Sequence, residues 1–226
     1  MLRAIVFDFD GVIANSEPLH FRAFRDVLGA RGVALSEADY YTQYLGFDDL
    51  GAFKAIARDL GRTWSTAELT ALLSDKAERM AALERDASVL FPGAADAIRR
   101  AAAVVPIAIA SGALGTEIRR VLDRANLTHH FSAIVAAEDT AAGKPAPDPY
   151  RRAVALLSAA TDNPSLPPAE CVAIEDSHWG IASARAAGLR AVGVTSSYDA
   201  RELSDADLII ESLSDLDVAS LQRLLF

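Results

Sequence analysis

Six short apolar runs, at 4–9, 104–110, 133–137, 171–174, 191–195 and 207–210, limit this chain to few architectures. Their apolar residues mostly follow one another without the polar alternation of a half-exposed strand, the pattern of strands covered on both faces. Helical periodicity at 94–103, 116–126, 149–159 and 180–187 separates most of them, the last stopped by Gly188. Strand and helix in alternation require a parallel sheet with helices on both sides, an α/β Rossmann-like core. Ligands of such sheets bind at the carboxyl ends of the strands.

One region breaks the alternation. Between the first two strands only helical segments are legible, at 18–28, 37–44, 50–60 and 66–83, the last opened by Ser65 and Glu68 at capping-box spacing. An all-helical subdomain inserted after the first strand is therefore expected at 15–86, with the core formed by 1–14 and 87–226. Because the insert begins directly after the first strand, it is placed where a mobile lid would be useful. The stretch 161–168, "TDNPSLPP", reads as a surface loop.

At 226 residues, 51% of them hydrophobic and 23% charged, the chain can bury cores in both parts, which excludes wholesale disorder. Its 22 basic and 31 acidic residues leave a net charge of −9, with no basic run. Nucleic acid and anionic membranes are thus not expected partners, and an anionic substrate must be met by local cations, amides or a metal. One cysteine, Cys171, allows no disulfide within the chain and reads as a core thiol. With no secretory pattern and no apolar stretch of the ~20 residues that a span requires, a cytoplasmic protein is expected. A monomer is also expected.

Four groups of polar residues follow the apolar runs. Asp8 and Asp10 end the first, in "FDFDG", where the Gly11 turn can splay two acids toward one cavity. Such a pair can divide nucleophilic or metal-binding work from proton transfer, or be solvated acids in a turn. After the second run, "SGALGTE" offers the Ser111 hydroxyl and the amides around Gly112 before a helix that starts near Thr116, an anion site or a simple cap. Lys144, between Gly143 and Pro145, is either a fixed point charge or a solvated lysine. Glu175 and Asp176 suit a hard divalent ion, which takes one or two carboxylates, or the N-terminus of the next helix. Strand ends of a parallel sheet open on one edge, so the four groups would converge. Together they supply what phosphoryl transfer needs.

The phrases "DFDGV", "ASG", "GKPAPD" and "EDS" resemble, in order and across essentially the whole chain, the four motifs of the haloacid dehalogenase-like hydrolases. The insert is similar to the helical C1-type cap of the phosphoglycolate phosphatase and beta-phosphoglucomutase branch. The resemblance implies a Mg2+-dependent enzyme acting on a small phosphorylated metabolite. Asp8 would be the nucleophile, forming an aspartyl phosphate. Asp10 would protonate the leaving oxygen and then activate water, Ser111 and the Gly112 amide would hold phosphoryl oxygens, and Lys144 would neutralise charge. Mg2+ would be held by Asp8, the Asp10 carbonyl and Asp176, with Glu175 supporting the site from behind these ligands or through water. Dehalogenases of this family do not place an Asp two residues after the nucleophile, so Asp10 favours phosphate esters.

His20, in "EPLHFRAF" near the presumed cleft, matches a histidine found in both mutases and phosphatases of the branch, and reads as either a substrate-binding or a structural residue. The mutases carry a lysine before a cap-loop glycine and an arginine shortly after it; here Leu45 precedes Gly46, and Asp48 and Asp49 follow. Acids there repel a second phosphate, which favours a phosphatase over a hexose phosphate mutase. Asn15 replaces an Asp common in the family's "DSEP" phrase. A non-catalytic phosphoacceptor module is a further alternative, although every catalytic position is filled. His129 and His130 read as a surface turn, and Trp64 and Trp179 as packing residues.

Overall fold

β1 (Ala4–Phe7) is buried at every residue, as its unbroken apolar run requires. It lies at the centre of a six-stranded sheet in the order β3-β2-β1-β4-β5-β6, with every pairing parallel. The other strands are β2 (Ile107–Ala110), β3 (Phe131–Val135), β4 (Cys171–Glu175), β5 (Arg190–Val194) and β6 (Leu208–Ile210). Each of the six predicted runs overlaps a strand: β1, β2 and β6 are trimmed by one to three residues, β4 is longer by one, and β3 and β5 begin two residues and one residue before their runs. The computed structural model describes residues 1–45, 47, 49–86, 89–161 and 166–225. Gly46, Asp48 and the centre of the 161–168 stretch, all named from sequence, lie outside the described residues.

The chain divides into two compact units, Met1–Asn15 with Leu90–Phe226, and Ser16–Val89. In the first, the two ends of the excursion are tied together by a bridge between Ala14 and Leu90. The order of the sheet reverses at β1, with β2 on one side and β4 on the other, so the crevice for a ligand opens beyond the end of β1. One face is lined by small residues, Ala4, Val6, Ala108, Ala110, Ala173 and Ala191, packed with residues of α7 (Asp148–Ala160) and α8 (His178–Ala186). Small strand residues leave volume for one large ring, Tyr150 of α7, which is fully buried. Phe7, on the opposite face, meets Phe131 edge to face at 6.4 Å. α5 (Ala94–Ala102), α6 (Gly115–Arg124) and α9 (Val218–Arg223) complete this unit among the described residues.

The second unit is helical: α1 (Glu17–Gly29), α2 (Glu37–Asp39) running into a π-helical turn at Tyr40–Tyr44, α3 (Asp49–Asp59) and α4 (Thr66–Asp86). Its core is aromatic, with Phe21, Phe24, Tyr40 and Phe53 around Leu28, Ile56 and Leu72. α4 opens with the predicted capping box, in which the Ser65 amide donates to Glu68 at 2.7 Å and the Glu68 amide to Ser65 Oγ at 3.3 Å.

Candidate active site

β1 keeps pairing for one residue beyond its last ladder position, because the Asp8 amide donates to the Ile174 carbonyl at 2.9 Å. Phe7 is in register with Ile174, so Asp8 comes level with Glu175 on the neighbouring strand. Asp8 Oδ1 accepts from the Phe9 amide at 2.7 Å and is 2.8 Å from Lys144 Nζ. That ammonium also donates to Glu175 Oε1 at 2.5 Å. Carboxylate oxygens of Asp8, Glu175 and Asp176 all lie within 4.8 Å of one another, and all three residues are buried. Four of the acids and bases named from the sequence are thus assembled by two strand ends and the loop before α7.

Close packing fixes the acid pair. A Cβ on Gly11, whose φ is +76°, would stand 1.8 Å from Asp176 Oδ2, so only glycine meets both the backbone and the space requirements there. Gly180 plays the same part for Glu175: an added Cβ would stand 1.9 Å from the carboxyl carbon. The N-cap of α8 holds Gly180 in place, its amide donating to Ser177 Oγ at 3.1 Å, while that hydroxyl donates to Glu175 Oε2 at 3.3 Å. Gly180→Ala is therefore expected to destabilise the protein by about 1–3 kcal/mol through overpacking, reversing the gain of about 1 kcal/mol that alanine brings to an ordinary helix position. Urea denaturation measures it; a more stable variant would contradict this packing.

Charge is unbalanced here. Three buried carboxylates face a single lysine. Burial pushes Glu175 up to about 7, against the Lys144 charge that favours its ionised form. Burial, followed by the nearby Asp8 and Glu175 charges, pushes Asp176 up to about 8, with a Ser197 hydrogen bond opposing. Burial alone would depress Lys144, but the Asp8 and Glu175 carboxylates outweigh it and hold the ammonium charged. A hard dication fits this donor set. Mg2+ takes carboxylate oxygens of this kind, and those of Asp8, Glu175 and Asp176 lie within 4.8 Å of one another.

The residues expected to hold phosphoryl oxygens follow β2. Ser111 is buried at the end of β2, its amide bonded to the Val135 carbonyl at 3.0 Å and its hydroxyl accepting from the Ala113 amide at 3.1 Å. Gly112 beside it is exposed. The helix starts at Gly115, next to the expected Thr116, and the Gly115 amide donates to Glu138 Oε1 at 3.0 Å. Glu138, from the end of β3, thus takes a helix-terminal donor that sequence alone offers to an anion. Asp10 is half-buried in the turn after Asp8, where it bridges Ala14.

Three participants escape sequence reasoning: Tyr150, Ser177 and Ser197. Tyr150 sits on the buried stripe of α7 and reads as core, yet its hydroxyl donates to Glu175 Oε1 at 2.5 Å. The hydroxyl pair Ser196-Ser197 follows β5, another strand end, and that position is the signal that could have found it: Ser196 bonds the Gly11 carbonyl, and Ser197 bonds Asp176. Trp179, read as packing, is 54% exposed because it begins α8 on the outward side; Trp64 does pack, edge to face on Phe53.

His20 belongs to the helical unit. There Lys76, its side chain only 2% exposed, donates to Asp49 Oδ1 at 2.6 Å, approaches His20 Nδ1 at 2.8 Å and lies over the Phe24 ring. Burial lowers His20 to about 4, the Lys76 charge adds to this, and Asp49 opposes it. A histidine depressed in the folded state is protonated first in the unfolded chain, so its contribution is complete above pH ~6.5 and is lost as pH falls toward 4. From pH 7 to pH 5 this one group should cost about 1–2 kcal/mol. Urea melts at the two pH values check it: His20→Asn should flatten that part of the slope, and an unchanged slope would refute the assignment.

A model of the haloacid dehalogenase-like hydrolases matches residues 2–188. Protein CbbY of Rhodobacter capsulatus is 35% identical over 222 residues, covering 94% of each chain. The fructose-1-phosphate phosphatase YqaB of Escherichia coli K12 is 32% identical over 201 residues, 84% of this chain and 95% of that one. The crystal structure of CbbY from Rhodobacter sphaeroides in complex with phosphate superposes with a TM-score of 0.79 at 29% identity, over 98% of this chain and all of that one. A family model spanning most of the sequence, relatives that match it nearly end to end and a shared α/β fold agree, and the chain is an enzyme of the haloacid dehalogenase-like hydrolase family.

Proposed function

We propose that this enzyme is a Mg2+-dependent phosphatase of small phosphorylated metabolites, with sugar phosphate monoesters foremost. The observation that carries this reading is the clamp on Asp8. Its Oδ1 is held by the Phe9 amide and Lys144, while Lys144 is itself pinned by Glu175. A carboxylate fixed at a strand end beside a cation is oriented for attack on an electron-rich phosphoryl group. A curated relative named as a fructose-1-phosphate phosphatase supports the substrate class.

In this mechanism Asp8 attacks phosphorus, displaces the alcohol oxygen and becomes an aspartyl phosphate. Asp10 gives a proton to the departing oxygen and then takes one from the water that hydrolyses the intermediate. Lys144 neutralises charge between Asp8 and the phosphoryl oxygens, which Ser111 and the Gly112 amide orient. Mg2+ would be held by Asp8, the Asp10 carbonyl and Asp176, with Glu175 behind them, and when bound would supply the positive charge that Lys144 alone does not. His20 and the helical unit would read the rest of the substrate. Leu45 and Asp49 stand where a mutase has cations, which favours hydrolysis over transfer onto a second phosphate. The reading is also of a monomer in a reducing compartment, with which the free, buried Cys171 is compatible.

Release of phosphate from p-nitrophenyl phosphate with Mg2+, lost with chelator and restored by excess Mg2+, is the expected result. No turnover with p-nitrophenyl phosphate or any member of a panel of phosphorylated metabolites would overturn it. Faster isomerisation than hydrolysis of beta-glucose 1-phosphate, given its bisphosphate primer, would replace it with the mutase reading.

A further inference from the structure

Tyr150 stands in the first turn of α7 with its whole side chain sealed from solvent, and no step of the reaction above uses it. Packing alone asks only for a phenyl ring. The hydroxyl must then be explained, because a buried O–H is costly unless bonded. It donates to Glu175 Oε1 at 2.5 Å, the same oxygen that accepts Lys144 Nζ at 2.5 Å. The ring also flanks the lysine, whose ammonium is 5.3 Å from the ring centroid.

We propose that Tyr150 is a positioning residue for phosphoryl transfer: it locks the Glu175 carboxylate and walls one side of Lys144, so that the ammonium stays on Asp8 Oδ1. The physical need is clear from the side chains involved. A glutamate's terminal torsion is broad, so a carboxylate held by fewer donors can turn and draw the ammonium with it. Lysine is a point charge on a flexible four-carbon stem and has no fork of its own to fix its aim. A displacement of about 1 Å at a reacting group can cost about a hundredfold in rate. Ser177, bonded to Glu175 Oε2 at 3.3 Å, secures the other oxygen less tightly.

The inference rests on the proposed reaction, and two measurements separate its failure from the failure of that reading. Tyr150→Phe keeps the ring and removes the hydroxyl. With p-nitrophenyl phosphate and Mg2+, kcat should fall about tenfold while KM changes by less than about twofold, since the contact acts on a lysine and not on substrate. Glu175→Gln should lower kcat as well, and Tyr150→Phe/Glu175→Gln should be no slower than Glu175→Gln alone, because the hydroxyl acts through that carboxylate. The second readout does not need turnover. In 15N spectra of the lysine side-chain ammonium groups, Lys144 should give a slowly exchanging resonance that shifts or broadens in Tyr150→Phe. Wild-type kcat in Tyr150→Phe, multiplicative losses in the double variant, or an unaltered Lys144 resonance would each overturn the inference. An inactive wild type whose Lys144 resonance still responds to Tyr150→Phe would refute the proposed reaction and leave the positioning role supported.

Discussion

Asp8→Asn is expected to abolish phosphate release, by about 10⁴-fold or more, and to leave the fold intact. The amide is nearly isosteric with the carboxylate but is no nucleophile, so the covalent step is lost without loss of shape. Stability should change little, because the substitution removes one of three crowded buried carboxylates at the same time as one partner of Lys144. Glu175 still neutralises the lysine at 2.5 Å. A phosphate assay together with a thermal melt checks both halves. Residual turnover within tenfold of wild type would remove Asp8 from the role of nucleophile.

Lys144→Met should be severe in two ways. It leaves Asp8 and Glu175 facing each other in a buried place without the cation that bridges them, and stripping a buried charge of its partner costs about 3–5 kcal/mol. It also removes the positive charge from the phosphoryl site, for which a loss of about 10²–10³-fold in kcat is expected. The two effects can be separated. Lys144→Met/Glu175→Gln removes one of the uncompensated carboxylates and should regain about half of the lost stability by urea denaturation, with no regain of activity. If the single variant is as stable as wild type, the lysine does not hold the site together.

Much of this was legible because its causes are local. Unbroken apolar runs such as "AIVF" and "IAIA" mark strands that are covered on both faces, and their parallel pairing places Asp8, Ser111 and Asp176 at one edge by topology alone. The capping box at Ser65 was readable for the same reason, since four consecutive residues contain its whole geometry. Features set by neighbours distant in sequence were not. Glu138 reaching the Gly115 amide joins residues 23 apart, and Tyr150 reaching Glu175 joins residues 25 apart. In the sequence both look ordinary, a surface acid and a core aromatic. Gly180 carries a conventional helical pattern, and its intolerance of a side chain appears only once the Glu175 carboxylate is seen against it. The π-helical turn at Tyr40–Tyr44 likewise continues a helical pattern with nothing in its residues to announce the change.

The measurement closest to the central claim is to trap the covalent intermediate. Borohydride reduces an acyl phosphate to an alcohol, so adding it during steady turnover of p-nitrophenyl phosphate with Mg2+ should convert Asp8 to homoserine. Peptide mass mapping should then find the change at that position and nowhere else, and should find none when substrate is omitted. Continued turnover without any trapped residue, or a label on a carboxylate other than Asp8, would contradict the account.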